Sequence, residues 1–207
     1  TVRRRDEEED TMVRDLELFS KRARLNTPAS ATDIDEERAP SPDTHSMPPE
    51  ASTMGVIERV DMINFMCHRN LSITLGPRIN FIIGHNGSGK SAILTAITVT
   101  LGGKAQTTSR GSSLKDFILE GAQAAEVRVR LRNGGSDAYR PDLYGDAINI
   151  ERRIHSDGSG SWKIKNADGK TISTKREELD AICDHANIQV DNPMNILSQD
   201  AARQFLG

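Results

Sequence analysis

The chain has 207 residues, of which 36% are hydrophobic and 28% charged, and its formal net charge is −3. This length suits one domain with a terminal extension. This net charge is close to neutral, so the chain lacks the overall positive charge that is typical of nucleic-acid-binding proteins. No apolar run approaches the roughly 18 residues that a membrane-spanning helix needs.

The first 54 residues differ in composition from the rest of the chain. They hold 8 Lys or Arg against 13 Asp or Glu, 5 of the 8 prolines, and a single aromatic residue, Phe19. Such a segment cannot bury enough apolar surface to offset its ordering entropy. We therefore predict a disordered tail over 1–54 and one folded domain over 55–207. The basic residues at 21–24 resemble a nuclear import signal, although solvated charge explains them almost as well.

The folded domain is predicted to begin with strands. Val56 to Phe65 and Leu71 to Leu75 have strand-like composition, and Gly76-Pro77 supplies a turn after them. The apolar run from Ile79 to Ile83 follows at once and is predicted to form a third strand.

That run leads into a motif of the form G-x-x-x-x-G-K-[ST], in the strand-to-helix context that a phosphate-binding P-loop requires. Glycines permit a tight turn and close approach of the backbone to a ligand. Amides at the start of the next helix can then meet phosphate oxygens. Lys90 is expected to reach the β- and γ-phosphates, and the Ser91 hydroxyl is expected to bind Mg²⁺. The predicted nucleotide-binding residues are Gly84, His85, Asn86, Gly87, Ser88, Gly89, Lys90, Ser91 and Ala92.

Two helices are predicted after the loop. Apolar residues recur at helical spacing from Ile93 to Leu101, and the pair Gly102-Gly103 is typical of a helix end. A second, short helix is predicted to start at Ser112 or Ser113.

From Glu126 the apolar period changes to two, which indicates a strand with one core face and one face of arginines. Core positions Val127, Val129 and Leu131 alternate with Arg128, Arg130 and Arg132. We interpret the arginine row as a solvated strand face, with contact to DNA phosphates as the alternative.

More antiparallel structure is predicted downstream. Asp146 to Ile154 and Ser161 to Ile164 have the pattern of strands joined by a glycine turn, and Asp168-Gly169 indicates another hairpin. Thr174 to Glu177 fits a capping box that opens an amphipathic helix.

The predicted fold class is therefore α/β, with a P-loop unit beside a sizeable antiparallel layer. P-loop kinases and small GTPases alternate strands and helices more regularly. By analogy of fold, the antiparallel layer favours the ATP-binding-cassette type of head.

Near the end of the chain, Ser198 can cap a helix that starts at Gln199 or Asp200. A glutamine in such a loop can orient a water or complete a Mg²⁺ shell, but taken alone it is more often a plain polar loop residue.

Five segments in this order resemble the N-terminal half of the ATPase head of the SMC (structural maintenance of chromosomes) family. They are Phe65 to His68, Gly84 to Ser91, Leu101 to Lys104, Arg110 to Lys115, and Asn195 to Asp200. The resemblance covers residues 55–207.

The resemblance implies roles for individual residues. Lys90 and Gln199 would be catalytic, and Ser91 and Gln199 would hold Mg²⁺, with Gln199 also touching the attacking water. Arg110 lies where the family places an arginine near the phosphates, with a plain surface arginine as the alternative. His68 and Arg69 would contact the nucleoside.

The sequence after the P-loop contains no Walker B acid pair, no L-S-G-G signature and no heptad coiled coil. The resemblance therefore implies half a head, inactive alone, which binds ATP and Mg²⁺. Expected partners are the C-terminal half of its own head, a second SMC subunit, accessory non-SMC subunits and DNA. The implied setting is chromosome maintenance and DNA repair in the nucleus. The alternatives are a small P-loop kinase, or a DNA- or chromatin-binding module whose nucleotide is structural.

Overall fold

In a computed structural model, the described residues are 53–108, 110–192, 195–197 and 202. They belong to one compact unit, Met47–Gly207. The predicted tail, apart from Thr53 and Met54, lies outside the described residues, as do Ser198, Gln199 and Asp200.

The fold is built on a six-stranded antiparallel sheet with the order β2-β1-β3-β4-β5-β6. Its strands are β1 (Ile57–Phe65), β2 (His68–Thr74), β3 (Ala124–Arg132), β4 (Ala147–His155), β5 (Gly160–Lys165) and β6 (Thr171–Ser173). Four of the five strand pairs join strands that are consecutive in the chain. The fifth pairs β1 with β3, and the P-loop lies in the chain segment between β2 and β3. The predicted antiparallel strands and hairpins are therefore present, although β2 begins three residues before the predicted Leu71 and the strand predicted at 79–83 is not formed.

Within the ranges 53–108 and 110–192, three helices accompany the sheet: α1 (Lys90–Thr100), α2 (Pro141–Tyr144) and α3 (Arg176–His185). The short α2 was not predicted. Two 3-10 turns lie at Ala105–Thr108 and Leu114–Phe117. Throughout the described part of the chain, every helix is too short or too polar to cross a membrane.

Two of the three predicted helix caps lie within the described residues, and they have different outcomes. Ser113 caps the Leu114–Phe117 turn, and its capping box with Asp116 is complete. The predicted capping box at Thr174 is wrong, since α3 starts at Arg176 with Lys175 as its cap and without a side-chain bond.

The core lies between one face of the sheet and the helices. The apolar residues of β3 are fully buried, which confirms their predicted alternation, and they share a cluster with Ile93, Ala96 and Val99 of α1. Each buried aliphatic side chain of this kind stabilises the fold by about 1.5–3 kcal/mol. The packing fixes the axis of α1, and hence the position of the loop before it.

The opposite face of β3 carries the arginine row, whose members pair with carboxylates. Arg130 and Arg132 share Glu58, with Nε to carboxylate oxygen distances of 3.1 and 2.7 Å. Arg128 pairs with Glu126 and lies 3.5 Å from Glu151. The row is thus an ion-paired sheet surface whose arginine side chains are between about one third and one half exposed.

The strand predicted before the P-loop is not formed. Residues 79–83 have no strand assignment, and Ile79, Phe81 and Ile83 are 82%, 84% and 92% exposed. A strand needs a neighbour for its amide and carbonyl groups, and none of the six described strands pairs with this run. Its apolar composition indicates a buried strand, but the partner that would bury it is not among the described residues.

Candidate nucleotide-binding site

The loop from Gly84 to Ser91 joins the exposed apolar run to α1. Gly87 and Gly89 have φ angles of +84° and +82°, in the region that favours glycine. A Cβ at Gly84 would lie 2.7 Å from the Ser88 hydroxyl, and one at Gly89 would overlap the ring of His68. A side chain at 89 would therefore clash with the β1–β2 turn, whereas at 84 only the Ser88 hydroxyl would have to shift.

Lys90 is the first residue of α1, and its side chain folds back across the loop. Its Nζ donates to the carbonyl oxygens of Gly84 at 2.5 Å and His85 at 2.7 Å. The ammonium is consequently held at the N-terminus of α1, where the helix dipole is also positive.

The N-terminus of α1 is left open by its own sequence. Gly89 provides no side-chain cap, and the first turn contains no acidic residue. The first amides of a helix have no partner within the helix. Free amides beside a lysine ammonium form a site for an anion such as a phosphate group.

Arg110 lies at the same end of α1. Its Nη2 donates a 3.0 Å hydrogen bond to the hydroxyl oxygen of Ser91. The structure therefore brings together the residue predicted to hold Mg²⁺ and the arginine predicted to lie near the phosphates.

The segment after Arg110 is anchored to the sheet through Phe117. The Phe117 ring lies 5.7 Å from that of Phe65 at the end of β1, and its carbonyl accepts a 2.7 Å bond from the Met66 amide. A Cβ at Gly111 would lie 2.9 Å from Phe117, so the backbone packs closely there. This anchoring was not predicted from the sequence, since the pairing of two distant phenylalanines leaves no local signal.

Asp116 organises the same segment. Hydrogen bonds from the Ser113 amide and from Ser112 hold the pKa of the Asp116 carboxyl below its usual value, so it stays ionised at neutral pH. The charged acceptor keeps the backbone after Arg110 in one conformation.

The turn between β1 and β2 forms the third side of the site. The Nε2 atom of His68 lies 3.3 Å from the Gly89 carbonyl oxygen, and the exposed thiol of Cys67 lies close to the same glycine. Arg69 is exposed on β2, and its side chain forms no hydrogen bond or ion pair with the described residues. Gln199, the predicted water- and metal-binding residue, is outside the described residues, so its role stays a prediction.

The residues present fit a nucleotide with a divalent metal. The loop provides close backbone approach, free helix amides and one lysine, and Ser91 supplies the type of hard oxygen ligand that Mg²⁺ prefers. The Ser91 side chain is exposed and already accepts a bond from a cation, so its oxygen faces the region where charge would be bound.

Comparison with known proteins defines the class. The AAA domain family matches residues 59–206, and the chain belongs to this family of ATPases. Within it, the chain is similar to structural maintenance of chromosomes protein 6. It is 54% identical to that protein of Schizosaccharomyces pombe over 154 residues and 50% identical to that of Homo sapiens over 157 residues.

The matched regions cover 74% and 75% of this chain and 14% of each relative. The chain thus spans about one seventh of the length of the curated relatives that it matches.

Solved SMC heads have the same fold. One, from work on ATP-driven dimerization and DNA-stimulated activation of SMC ATPases, is 29% identical with a TM-score of 0.62 and covers 72% of this chain and 90% of its own. The Pyrococcus furiosus head, bound to the C-terminal domain of ScpA, is 30% identical with a TM-score of 0.61 and covers 74% of this chain and 38% of its own. The resemblance to the SMC head and the predicted fold type are thereby confirmed.

Proposed function

We propose that this chain is the ATP-binding N-terminal part of an SMC-type head, which hydrolyses ATP to ADP and phosphate once the head is complete. One observation carries the proposal: Lys90, Ser91 and Arg110 converge at the uncapped N-terminus of α1. Two cations, a hydroxyl and free amides at one helix end match the demands of a polyphosphate.

Each residue has a separate task in this proposal. Lys90 provides a cation at the loop, Arg110 provides a second cation from another segment, and Ser91 and Gln199 provide oxygen ligands for Mg²⁺. The bound metal would neutralise charge on the phosphates. Gln199 would orient the attacking water. Catalysis of phosphoryl transfer depends almost entirely on such positioning and electrostatic stabilisation.

The exposed apolar run from Ile79 to Ile83 supports the proposal that the nucleotide site is completed by another part of the head. Large apolar side chains at this density belong to a core strand, and burying each one stabilises a fold by about 1.5–3 kcal/mol. The run leads directly into the P-loop, so whatever pairs with it would also fix the loop. We propose that its partner is the C-terminal half of the same head, which would bring the catalytic acid that this sequence lacks.

A solved SMC head bound to the C-terminal domain of ScpA supports the proposal of further partners. We propose that the complete protein pairs with the fifth SMC subunit as a heterodimer and associates with accessory non-SMC subunits and with DNA. ATP binding and hydrolysis would control engagement of the two heads on DNA, in DNA repair and chromosome maintenance. The corresponding location is the nucleus, on chromosomes.

Reconstitution of the head tests this function. ATP turnover is measured by phosphate release for the chain alone, for the chain folded together with the C-terminal part, and for that head with its partner head. We expect negligible turnover by the chain alone, because one trans-acting arginine is worth about 10³–10⁵ in rate in related NTPases. Turnover by the complete pair should be lost in Gln199→Ala.

Turnover by the chain alone at the rate of the complete pair would contradict the proposal and favour a self-sufficient kinase-like enzyme. Tight ATP binding without turnover in the complete pair would favour a DNA- or chromatin-binding module with a structural nucleotide.

A further inference from the structure

A second cluster of cations lies at the other end of α1. A cavity of 340 Å³ opens between the C-terminal end of this helix, the segment 104–114 and the tip of the β4–β5 hairpin. Lys104, Arg152 and Arg176 line it, and the described lining residues include no aspartate or glutamate. Because α1 has 11 residues, the cavity is separated from the P-loop by roughly 16 Å of helix.

Arg152 is the unusual member of this cluster. It is only 5% exposed and lies on the core side of β4, with its guanidinium carbon 3.8 Å from the ring centroid of Trp162. Its Nη1 donates to the Val99 carbonyl at 2.5 Å, but its Nε is buried without a hydrogen-bond partner. Burial and the charge of Arg176 lower its pKa to about 10. A buried cation facing no anion is costly for a fold.

The other two cations are only partly offset. Arg176 donates from Nη2 to the Gly102 carbonyl at 3.0 Å, and its Nε lies 3.5 Å from Asp180, with both side chains about half exposed. Exposed ion pairs of this kind contribute little to stability, so Asp180 only weakly neutralises the charge of Arg176. The Lys104 side chain is exposed and makes no ion pair within the described residues.

Helix capping accounts for part of this arrangement. The carbonyls of Val99, Thr100 and Gly102 accept bonds from Arg152, Trp162 and Arg176, in that order. Capping explains one atom of each side chain. It explains neither Lys104, nor the unpaired Nε of Arg152, nor a cavity free of carboxylates.

We propose that this cavity binds the phosphate group of a ligand, with Lys104, Arg152 and Arg176 supplying the positive charge. Gly103 and the Ser112 and Ser113 segment line the same cavity, but the amides of both serines and the Ser112 hydroxyl are already bonded to the Asp116 carboxylate, so the three cations supply the binding groups. The volume is within the range of small-ligand sites. The phosphate belongs either to a small molecule or to a phosphorylated side chain of a partner protein.

Trp162 provides a local reporter, because it is the chain's single tryptophan and stacks on Arg152. The 207-residue chain is titrated with sodium phosphate at constant ionic strength while tryptophan fluorescence is recorded, with sodium acetate as the control for charge alone. We expect a saturable change with phosphate and an apparent affinity for acetate at least about tenfold weaker, since three donors suit a dianion. No saturable change, or equal responses to both anions, would overturn the proposal.

Variants separate this cavity from the P-loop. Lys104→Gln, at an exposed position that the fold tolerates, should weaken the phosphate response about tenfold. Arg153→Gln is the matched control, since Arg153 is exposed on the opposite face of β4. It should respond as the unmodified chain does. A response that is lost in Lys90→Ala and kept in Lys104→Gln would contradict the proposal, because the phosphate would then be at the P-loop.

Two further titrations distinguish the source of the phosphate. Glycerol phosphate represents a small phosphate ester, and a short phosphoserine peptide represents a modified partner protein. The compound that binds more tightly identifies the source of the phosphate, provided that Lys104→Gln also weakens the binding of that compound. Binding of both that is insensitive to Lys104→Gln would count against the site.

Discussion

Arg110 and Ser91 are 19 positions apart in sequence, yet the guanidinium donates a 3.0 Å hydrogen bond to the serine hydroxyl. The contact joins the segment after α1 to the first turn of α1. It depends on Phe117, whose packing against Phe65 holds that segment against the sheet. A residue that the sequence placed near the phosphates only by resemblance is therefore in contact with the loop's own side chains.

Replacing Arg110 tests whether this contact serves the ligand. Arg110→Ala should lower the affinity for ATP about ten- to hundredfold, because a hydrogen bond to a charged group is worth about 1.5–3 kcal/mol. Arg110→Lys should recover part of the loss, since it keeps the charge without the planar fork. Titration with a fluorescent ATP analogue measures both. Arg153→Ala, an exposed arginine on β4, serves as the control, and equal losses in the two alanine variants would contradict a specific role.

Gly87 and Gly89 form a matched pair for the loop. Both have a left-handed backbone, but a Cβ at Gly87 meets no atom within 4 Å, whereas one at Gly89 overlaps His68. Gly87→Ala should lower the free energy of unfolding by about 1–2 kcal/mol through backbone strain alone. Gly89→Ala should cost at least about 1 kcal/mol more, because His68 must move. Thermal unfolding of the two variants measures the difference, and equal melting temperatures would show that His68 yields freely.

The exposed run before the P-loop should act in assembly and contribute little to the fold of the chain alone. Phe81 is 84% exposed, so Phe81→Ser should leave the unfolding free energy of the chain within about 0.5 kcal/mol of its original value. It should weaken association with the C-terminal half by about 1.5 kcal/mol or more. Leu143→Ser is the control, at a side chain on α2 that is 41% exposed. Co-purification with similar yield for both variants would contradict the assignment of this run to the head interface.

Glu151 gives the outer face of the sheet a predictable pH dependence. Burial raises the pKa of its carboxyl, but the hydrogen bond and charge of Lys165 and the charges of Arg128 and Lys163 outweigh burial and hold the pKa below its usual value. The stabilisation is therefore fully present above the pKa of the unfolded chain and is lost as the pH falls through the lower pKa of the folded state.

Glu151→Gln should reduce stability at pH 7 by about 1–3 kcal/mol, since Lys165 loses its 2.6 Å partner. The variant should also lose less stability than the original chain on acidification below pH 4.5. Urea unfolding at a series of pH values measures this, and parallel pH profiles would show that the ion pairs of Glu151 do not stabilise the sheet.

Local sequence signals predicted much of this structure. The apolar period of two in β3, the helical spacing of α1 and the glycine turn at 157–160 each correspond to an observed element. These features succeed because the burial of alternating or helically spaced side chains is decided within a few residues.

The failures have a common physical origin in distant partners. The run from Ile79 to Ile83 has the composition of a strand, but a strand forms only where another supplies hydrogen bonds. The alternation of β4 places Arg152 on the same face as Ile150 and Ile154, but its stacking on Trp162 depends on a residue of another strand that the local pattern does not indicate. The Arg110 contact likewise depends on Phe117 meeting Phe65 across the fold.

The most direct test of the account is Mg²⁺-dependent nucleotide binding by the chain and two of its variants. A fluorescent ATP analogue is titrated with and without Mg²⁺ into the unmodified chain, Lys90→Ala and Ser91→Ala. We predict that Lys90→Ala loses most affinity under both conditions, because it removes the loop cation. Ser91→Ala should lose the Mg²⁺-dependent part while keeping the rest. Full Mg²⁺-dependent affinity in Ser91→Ala, or unchanged affinity in Lys90→Ala, would contradict the assignment of this loop as the nucleotide site.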